Sequence, residues 1–124
     1  MTPLVLLAVA VGGALGAVLR QLTSVSLAGS GRVPLGVLVV NVVGSFIAGV
    51  ALGAPLDPTV QLIIVSGLCG GLTTFSTFAV ETIQLVMAGK HRAALMSVGQ
   101  NLVFGIAAAL IGLALGSSLD NAIS

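Results

Sequence analysis

The residues able to do chemistry are few, and they lie where polar groups are costly. Arg20, Asn41, Glu81 and a run of hydroxyls all fall inside long apolar stretches. The densest cluster is Gly67-Leu68-Cys69-Gly70-Gly71-Leu72-Thr73-Thr74-Phe75-Ser76-Thr77-Phe78. A Gly-Gly pair followed by two β-branched residues is a poor helix sequence, and in mid-span it predicts a break of the kind a membrane tolerates only beside a polar cavity. Broken turns expose backbone carbonyls, and such carbonyls can coordinate a cation. Phe75 and Phe78 are three apart, which puts their rings on one helix face beside the hydroxyls of Thr74, Ser76 and Thr77. Phenylalanine edges carry partial positive charge, so they can meet an anion without the desolvation cost of a full cation. Ordinary core packing is the competing reading of the two rings. Their frame of four hydroxyls, Thr73 included, favours anion handling.

Asn41 stands amid Val37-Leu38-Val39-Val40 and Val42-Val43, so its amide must find partners across a helix interface or in a wet path. Val37, Asn41, Gly44, Ser45 and Ala48 share one helical face. The amide N–H can donate to an anion; interhelical glue is the alternative. Ser45 reads as structural, since a helical serine can satisfy itself on its own backbone. Arg20 lies about 7 Å past the centre of its span at 1.5 Å per residue. It either snorkels to the interface or supplies a vestibule charge that draws anions in. Glu81 extends the Phe75–Phe78 face by one more step of three. It is either a gate or proton carrier near an anion route, or a surface carboxylate paired with Lys90 or Arg92. On the last span, Ser97 and Asn101 are the polar residues assigned to the route, beyond Gln100. Cys69 reads as a small buried thiol, and a lone cysteine excludes an internal disulfide. His91, between Lys90 and Arg92, belongs to water or headgroups.

These residues need a scaffold, and composition says which. The 124 residues are 57% hydrophobic and 6% charged, so no charged shell can clothe a water-soluble core. The apolar runs are helix-length and rich in Ala, Leu and Gly, not alternating like barrel strands. The expected fold is therefore an all-α integral membrane protein of four transmembrane helices, at about 3–27, 33–53, 59–89 and 92–117, with a break in the third, as one transmembrane domain. The first stretch has no basic n-region and carries glycines and Arg20, so it reads as a helix of the mature protein and not a signal peptide. Loops at Ala28-Gly29-Ser30-Gly31-Arg32, Ala54-Pro55-Leu56-Asp57-Pro58 and Ala88-Gly89-Lys90-His91-Arg92 collect breakers and charges. Small residues recur at helical spacing (Gly12 and Gly16; Gly44, Ser45, Ala48 and Gly49; Ala108, Gly112 and Gly116), which permits close helix approach in lipid. Four such helices bury little, and a polar route through a lone bundle would face lipid. An oligomer is expected.

Three segments together carry a resemblance: Gly12-Gly13-Ala14-Leu15-Gly16-Ala17-Val18-Leu19-Arg20, Asn41-Val42-Val43-Gly44-Ser45-Phe46, and Gly70-Gly71-Leu72-Thr73-Thr74-Phe75-Ser76-Thr77-Phe78 with Glu81. In these segments, and in length, span number and motif order, the chain resembles the Fluc family of bacterial fluoride channels. The resemblance implies antiparallel, dual-topology dimers in the bacterial inner membrane, with two fluoride pores and a structural Na+ held at the centre. By motif position it implies that the carbonyls of Gly70 and Thr73 hold the sodium, that Phe75 and Phe78 line the pores, that Asn41 contacts fluoride and that Arg20 charges the vestibule. It also implies passive export of cytoplasmic fluoride that entered as HF. Val37 stands where this motif usually has Thr, and Gln21 where Tyr is common, which thins the polar track.

The alternative from another class is a proton-coupled small multidrug-type transporter, of similar length and span number. It requires a carboxylate in the first helix and an aromatic chamber, whereas this chain has Arg20 there and no Trp or Tyr. A purely structural subunit leaves the Gly-Gly-Leu-Thr-Thr segment unexplained. An enzyme is disfavoured, as no nucleophile, base and orienting group converge. Charge also speaks to insertion: Arg32, Lys90 and Arg92 all fall on the side of the first and third loops, and the other side has no Lys or Arg. The positive-inside rule then puts those loops in the cytoplasm. A dual-topology homodimer partner and an oppositely oriented paralogue both stay open.

Overall fold

A computed structural model of the chain describes residues 2–27 and 35–123. Its order is α1 (Pro3–Ser26), α2 (Leu35–Gly53), α3 (Pro58–Leu62), a π-helical stretch (Ile63–Cys69), α4 (Gly70–Leu72), α5 (Ser76–Met87) and α6 (His91–Ile123). Grouped as spans, these make four apolar segments long enough to cross a membrane, the third running from Pro58 to Met87. The protein is a multi-pass, all-helical membrane protein with a bent third span. The predicted first loop, with Arg32, lies outside the described residues. The fourth helix continues past residue 117 to Ile123.

The ends follow from local sequence. Thr2 caps α1 by accepting from the Val5 N–H at 3.2 Å, with Pro3 at the first helical position. Asp57 does the same for α3, accepting from the Thr59 N–H at 2.8 Å ahead of Pro58. The third span stops at Gly89, whose φ of 78° is in the left-handed region that glycine enters without a Cβ penalty. Gly89 N–H then donates to Val86 and Lys90 N–H to Leu85, a Schellman closure that satisfies two orphan carbonyls.

Packing is set by backbone contact more than by large side chains. Gly67 rests on the Val9 backbone and Gly71 on that of Gly13, so α1 and the first half of the third span advance together and run parallel. In the same way Gly49 rests on Ala109 and Gly53 on Leu113, making α2 and α6 a second parallel pair with the most extensive contact in the fold. A Cβ on Gly71 would overlap the Gly13 carbonyl, and one on Gly112 the Phe46 carbonyl. In lipid, where burying apolar side chains gains little, such close approach supplies dispersion contact that larger residues would prevent. The large apolar residues point outward instead; Leu4, Leu102, Leu110 and Ile83 are all more than half exposed, as a lipid-facing surface requires.

The break lies just beyond the glycine pair. Gly70 keeps helical dihedrals (φ −62°, ψ −37°), whereas Thr73 turns extended (φ −80°, ψ 156°) and the helix resumes at Ser76. The two threonines finish the two cut ends. Thr73 donates both its N–H (2.9 Å) and its hydroxyl (2.8 Å) to the Cys69 carbonyl, closing the upstream half. Thr74 Oγ1 accepts from the Thr77 N–H at 3.1 Å and caps the downstream half.

Candidate functional site

Asn41 is the residue that holds the break open in a defined shape. Its Oδ1 accepts from the Thr74 N–H at 2.9 Å, and its Nδ2 donates to the Thr74 carbonyl at 3.2 Å. A side-chain amide has the same donor and acceptor pair as a peptide, so it replaces the helical partners that Thr74 lost. The second Asn41 N–H donates to Asn101 Oδ1 at 3.0 Å, and Asn101 Nδ2 in turn donates to the Ser97 carbonyl at 2.9 Å. This chain of bonds ties α2, the break and α6 together. Ser97 is buried at 2% exposure.

Beside this chain lies a cavity of about 460 Å³, lined by Asn41, Ser45, Thr73, Thr74, Phe75, Phe78, Val98, Asn101 and Leu102. No charged side chain is among the described residues of its wall. The ring centroids of Phe75 and Phe78, both in this wall, are 6.0 Å apart with planes tilted by 50°. Neutral dipoles and ring edges can replace part of a small anion's hydration shell without a fixed cation that would trap it.

Of the residues predicted for this route, Asn41, Asn101, Phe75 and Phe78 line the cavity together. Ser76, Thr77, Arg20, Glu81 and Ser97 do not. Ser76 is exposed and its Oγ lies 3.4 Å from Thr74 Oγ1; Ser97 contributes its carbonyl to the amide chain. Glu81 pairs with neither Lys90 nor Arg92; its Oε2 is buried without a hydrogen-bond partner, as is Gln100 Oε1. Arg20 is half-buried on α1, away from the cavity wall. Ser45, which the sequence reads as structural, is a wall residue whose hydroxyl makes no described hydrogen bond. The signal was present, since Ser45 follows Asn41 by one turn on the same face.

The break also frees backbone oxygens. The Thr74 N–H that would return to Gly70 goes to Asn41, and the Thr77 N–H that would return to Thr73 goes to Thr74 Oγ1. The carbonyls of Gly70 and Thr73 are thereby left without their helical donors, and Gly70 lies on the exposed surface of the single chain. Backbone carbonyl oxygens are a kind of ligand that hard cations accept. No group of three or more His, Cys, Asp or Glu side chains that could hold a metal occurs among the described residues.

A multi-pass bundle whose broken span opens on an uncharged cavity of amides and rings is the architecture of a membrane channel or transporter, with irregular backbone only where it meets a polar space. The family model described as CrcB-like protein, Camphor Resistance (CrcB), matches residues 7–113. The chain belongs to this CrcB-like family. Among its relatives, a protein of Yersinia pseudotuberculosis named "Fluoride-specific ion channel FluC 1" is 47% identical over 91 residues, covering 68% of this chain and 72% of the relative. A "Fluoride-specific ion channel FluC" of Methanopyrus kandleri is 45% identical over 114 residues, 88% of this chain and 86% of the relative. One of the same name from Serratia proteamaculans is 42% identical over 112 residues, 86% and 88% of the two chains.

Proposed function

We propose that this chain is a fluoride-selective channel that passively exports cytoplasmic fluoride across the bacterial inner membrane. The observation that carries the reading is the cavity at the break, where the Phe75 and Phe78 rings and the Asn41–Asn101 amides meet with no charged side chain in the wall. The names of its relatives select fluoride among small anions. Arg20 acts outside the cavity as a vestibule charge, and Ser76, Thr77, Glu81 and Ser97 extend the polar track at its margins. Flux of a bare anion past ring edges needs no enzymatic step.

Two subunits form the working unit, inserted antiparallel and giving two pores. A structural Na+ sits at the dimer centre on the carbonyls of Gly70 and Thr73, whose helical donors the break has diverted. The partner is either a second copy or an oppositely oriented paralogue. The one-sided placement of Lys90, Arg92 and Arg32 supports the paralogue; equal insertion of one chain both ways calls for little bias. The decisive experiment is fluoride efflux from proteoliposomes with chloride as the control. Fluoride flux far above chloride is expected, and equal or absent fluxes overturn the reading.

A further inference from the structure

Hydrogen-bonding capacity around the cavity is unevenly committed. Asn41 has no N–H free: one goes to the Thr74 carbonyl and one to Asn101 Oδ1. The Thr73 hydroxyl is given to the Cys69 carbonyl, and Thr74 Oγ1 accepts from the Thr77 N–H and lies 3.4 Å from Ser76 Oγ, where either hydroxyl can donate to the other. Two further donors in the wall have no acceptor among the described residues, whichever of these two hydroxyls donates. Asn101 uses one N–H on the Ser97 carbonyl and keeps the other. The Ser45 hydroxyl lines the cavity and bonds no described residue, although a helical serine can return its O–H to the carbonyl four residues back.

Helix α6 faces that hydroxyl with a glycine. Gly105 lies one turn after Asn101 on α6, as Ser45 lies one turn after Asn41 on α2. A Cβ built on Gly105 would come 3.8 Å from Ser45 Oγ. Where any other residue would place a side chain, α6 leaves open space in front of a free O–H.

We propose that Ser45 is an anion-binding residue, its O–H and the second Asn101 N–H serving as paired donors to fluoride. Asn41 is the positioning residue of this pair, because its N–H holds Asn101 Oδ1 and so turns the free Asn101 N–H toward the cavity. For Asn41 to reach the ion itself it must release a bond, whereas Ser45 and Asn101 release none. A fluoride ion bound here exchanges part of its water for these neutral O–H and N–H donors, with the Phe75 and Phe78 rings in the same wall. This assignment rests on the fluoride reading above and adds a donor to it.

The test is fluoride efflux from proteoliposomes across a range of fluoride concentrations, with wild type, Ser45→Ala, Ser45→Thr and Gly105→Ala, each checked for monodispersity. A hydrogen bond to a charged partner is strong, so Ser45→Ala should raise the half-saturating fluoride about tenfold or more. Ser45→Thr keeps the hydroxyl and should stay within about twofold of wild type, a fraction of one such bond. Gly105→Ala puts a methyl in ordinary contact with Ser45 Oγ but leaves the O–H in place, so it should impair flux less than Ser45→Ala. Unchanged fluoride dependence in Ser45→Ala, equal loss in the Ala and Thr variants of Ser45, or a greater loss in Gly105→Ala than in Ser45→Ala each overturns the assignment. A wild type that passes no fluoride refutes the channel reading itself, which separates the two failures.

Discussion

Removing the Asn41 clasp tests whether a side-chain amide stands in for helix at the break. In Asn41→Leu the branched shape is kept, with somewhat larger methyls in place of O and NH2, and three hydrogen bonds are lost: those to Thr74 N–H, Thr74 carbonyl and Asn101 Oδ1. Hydrogen bonds in membrane proteins contribute about 0.6 kcal/mol on average. Leaving a buried peptide group unsatisfied adds about 1–3 kcal/mol, and Thr74 is buried at 7% exposure. The expected loss is therefore about 3–5 kcal/mol, enough to threaten folding. In Asn41→Ala the vacated space joins the adjoining cavity, water can reach Thr74, and the loss should fall to about 1–3 kcal/mol. Unfolding in mixed micelles gives both values, and hydrogen exchange at the Thr74 amide should accelerate in both variants. The reasoning fails if Asn41→Leu is as stable as wild type, or if Ala is more damaging than Leu.

Phe75→Ile and Phe78→Ile should abolish or strongly reduce fluoride flux while the protein stays folded, because branched aliphatics fill volume without a positive ring edge; full flux in both returns the pair to plain packing. Gly71→Ala, whose methyl would overlap the Gly13 carbonyl, should cost about 1–3 kcal/mol in the same unfolding assay, and Gly99→Ala, with open space around it, should be neutral within about 0.5 kcal/mol. Replacing sodium by a large organic cation should weaken the dimer if Gly70 and Thr73 carbonyls hold the ion; an ordered dimer with those carbonyls turned away would contradict it. Terminal reporter fusions in the native host distinguish the two partners: a subunit that pairs with a paralogue should show a single orientation with both chain ends outside, whereas a homodimer should give equal signal on the two sides and fluoride resistance restored by this gene alone.

Much of the architecture was legible because lipid is a demanding solvent. An apolar run of span length with so few charges has one stable form, the helix, and each Pro, Gly and charge cluster marks a crossing. Phe75, Phe78 and Asn41 stood out for the same reason: a polar or ring-rich cluster at membrane depth needs a purpose. The break was legible too, from the β-branched pair after the glycines. Its atomic cause was not, since Gly70 and Gly71 stay helical and Thr73 and Thr74 make the cut.

Sequence by itself determined the number of helices, their membrane setting, the existence of a break and the ring pair beside it, because each depends on local composition and period. Tertiary structure alone decided which donors are free. Asn41 and Ser45 share a face of α2, and nothing in that face says that the amide will be consumed by Thr74 and Asn101 while the hydroxyl is left in the cavity. That distinction comes from α6, whose Asn101 and Gly105 are far away in sequence. Hydrogen bonds are exclusive, and which partner claims a donor depends on what lies within about 3 Å of it after the helices have packed.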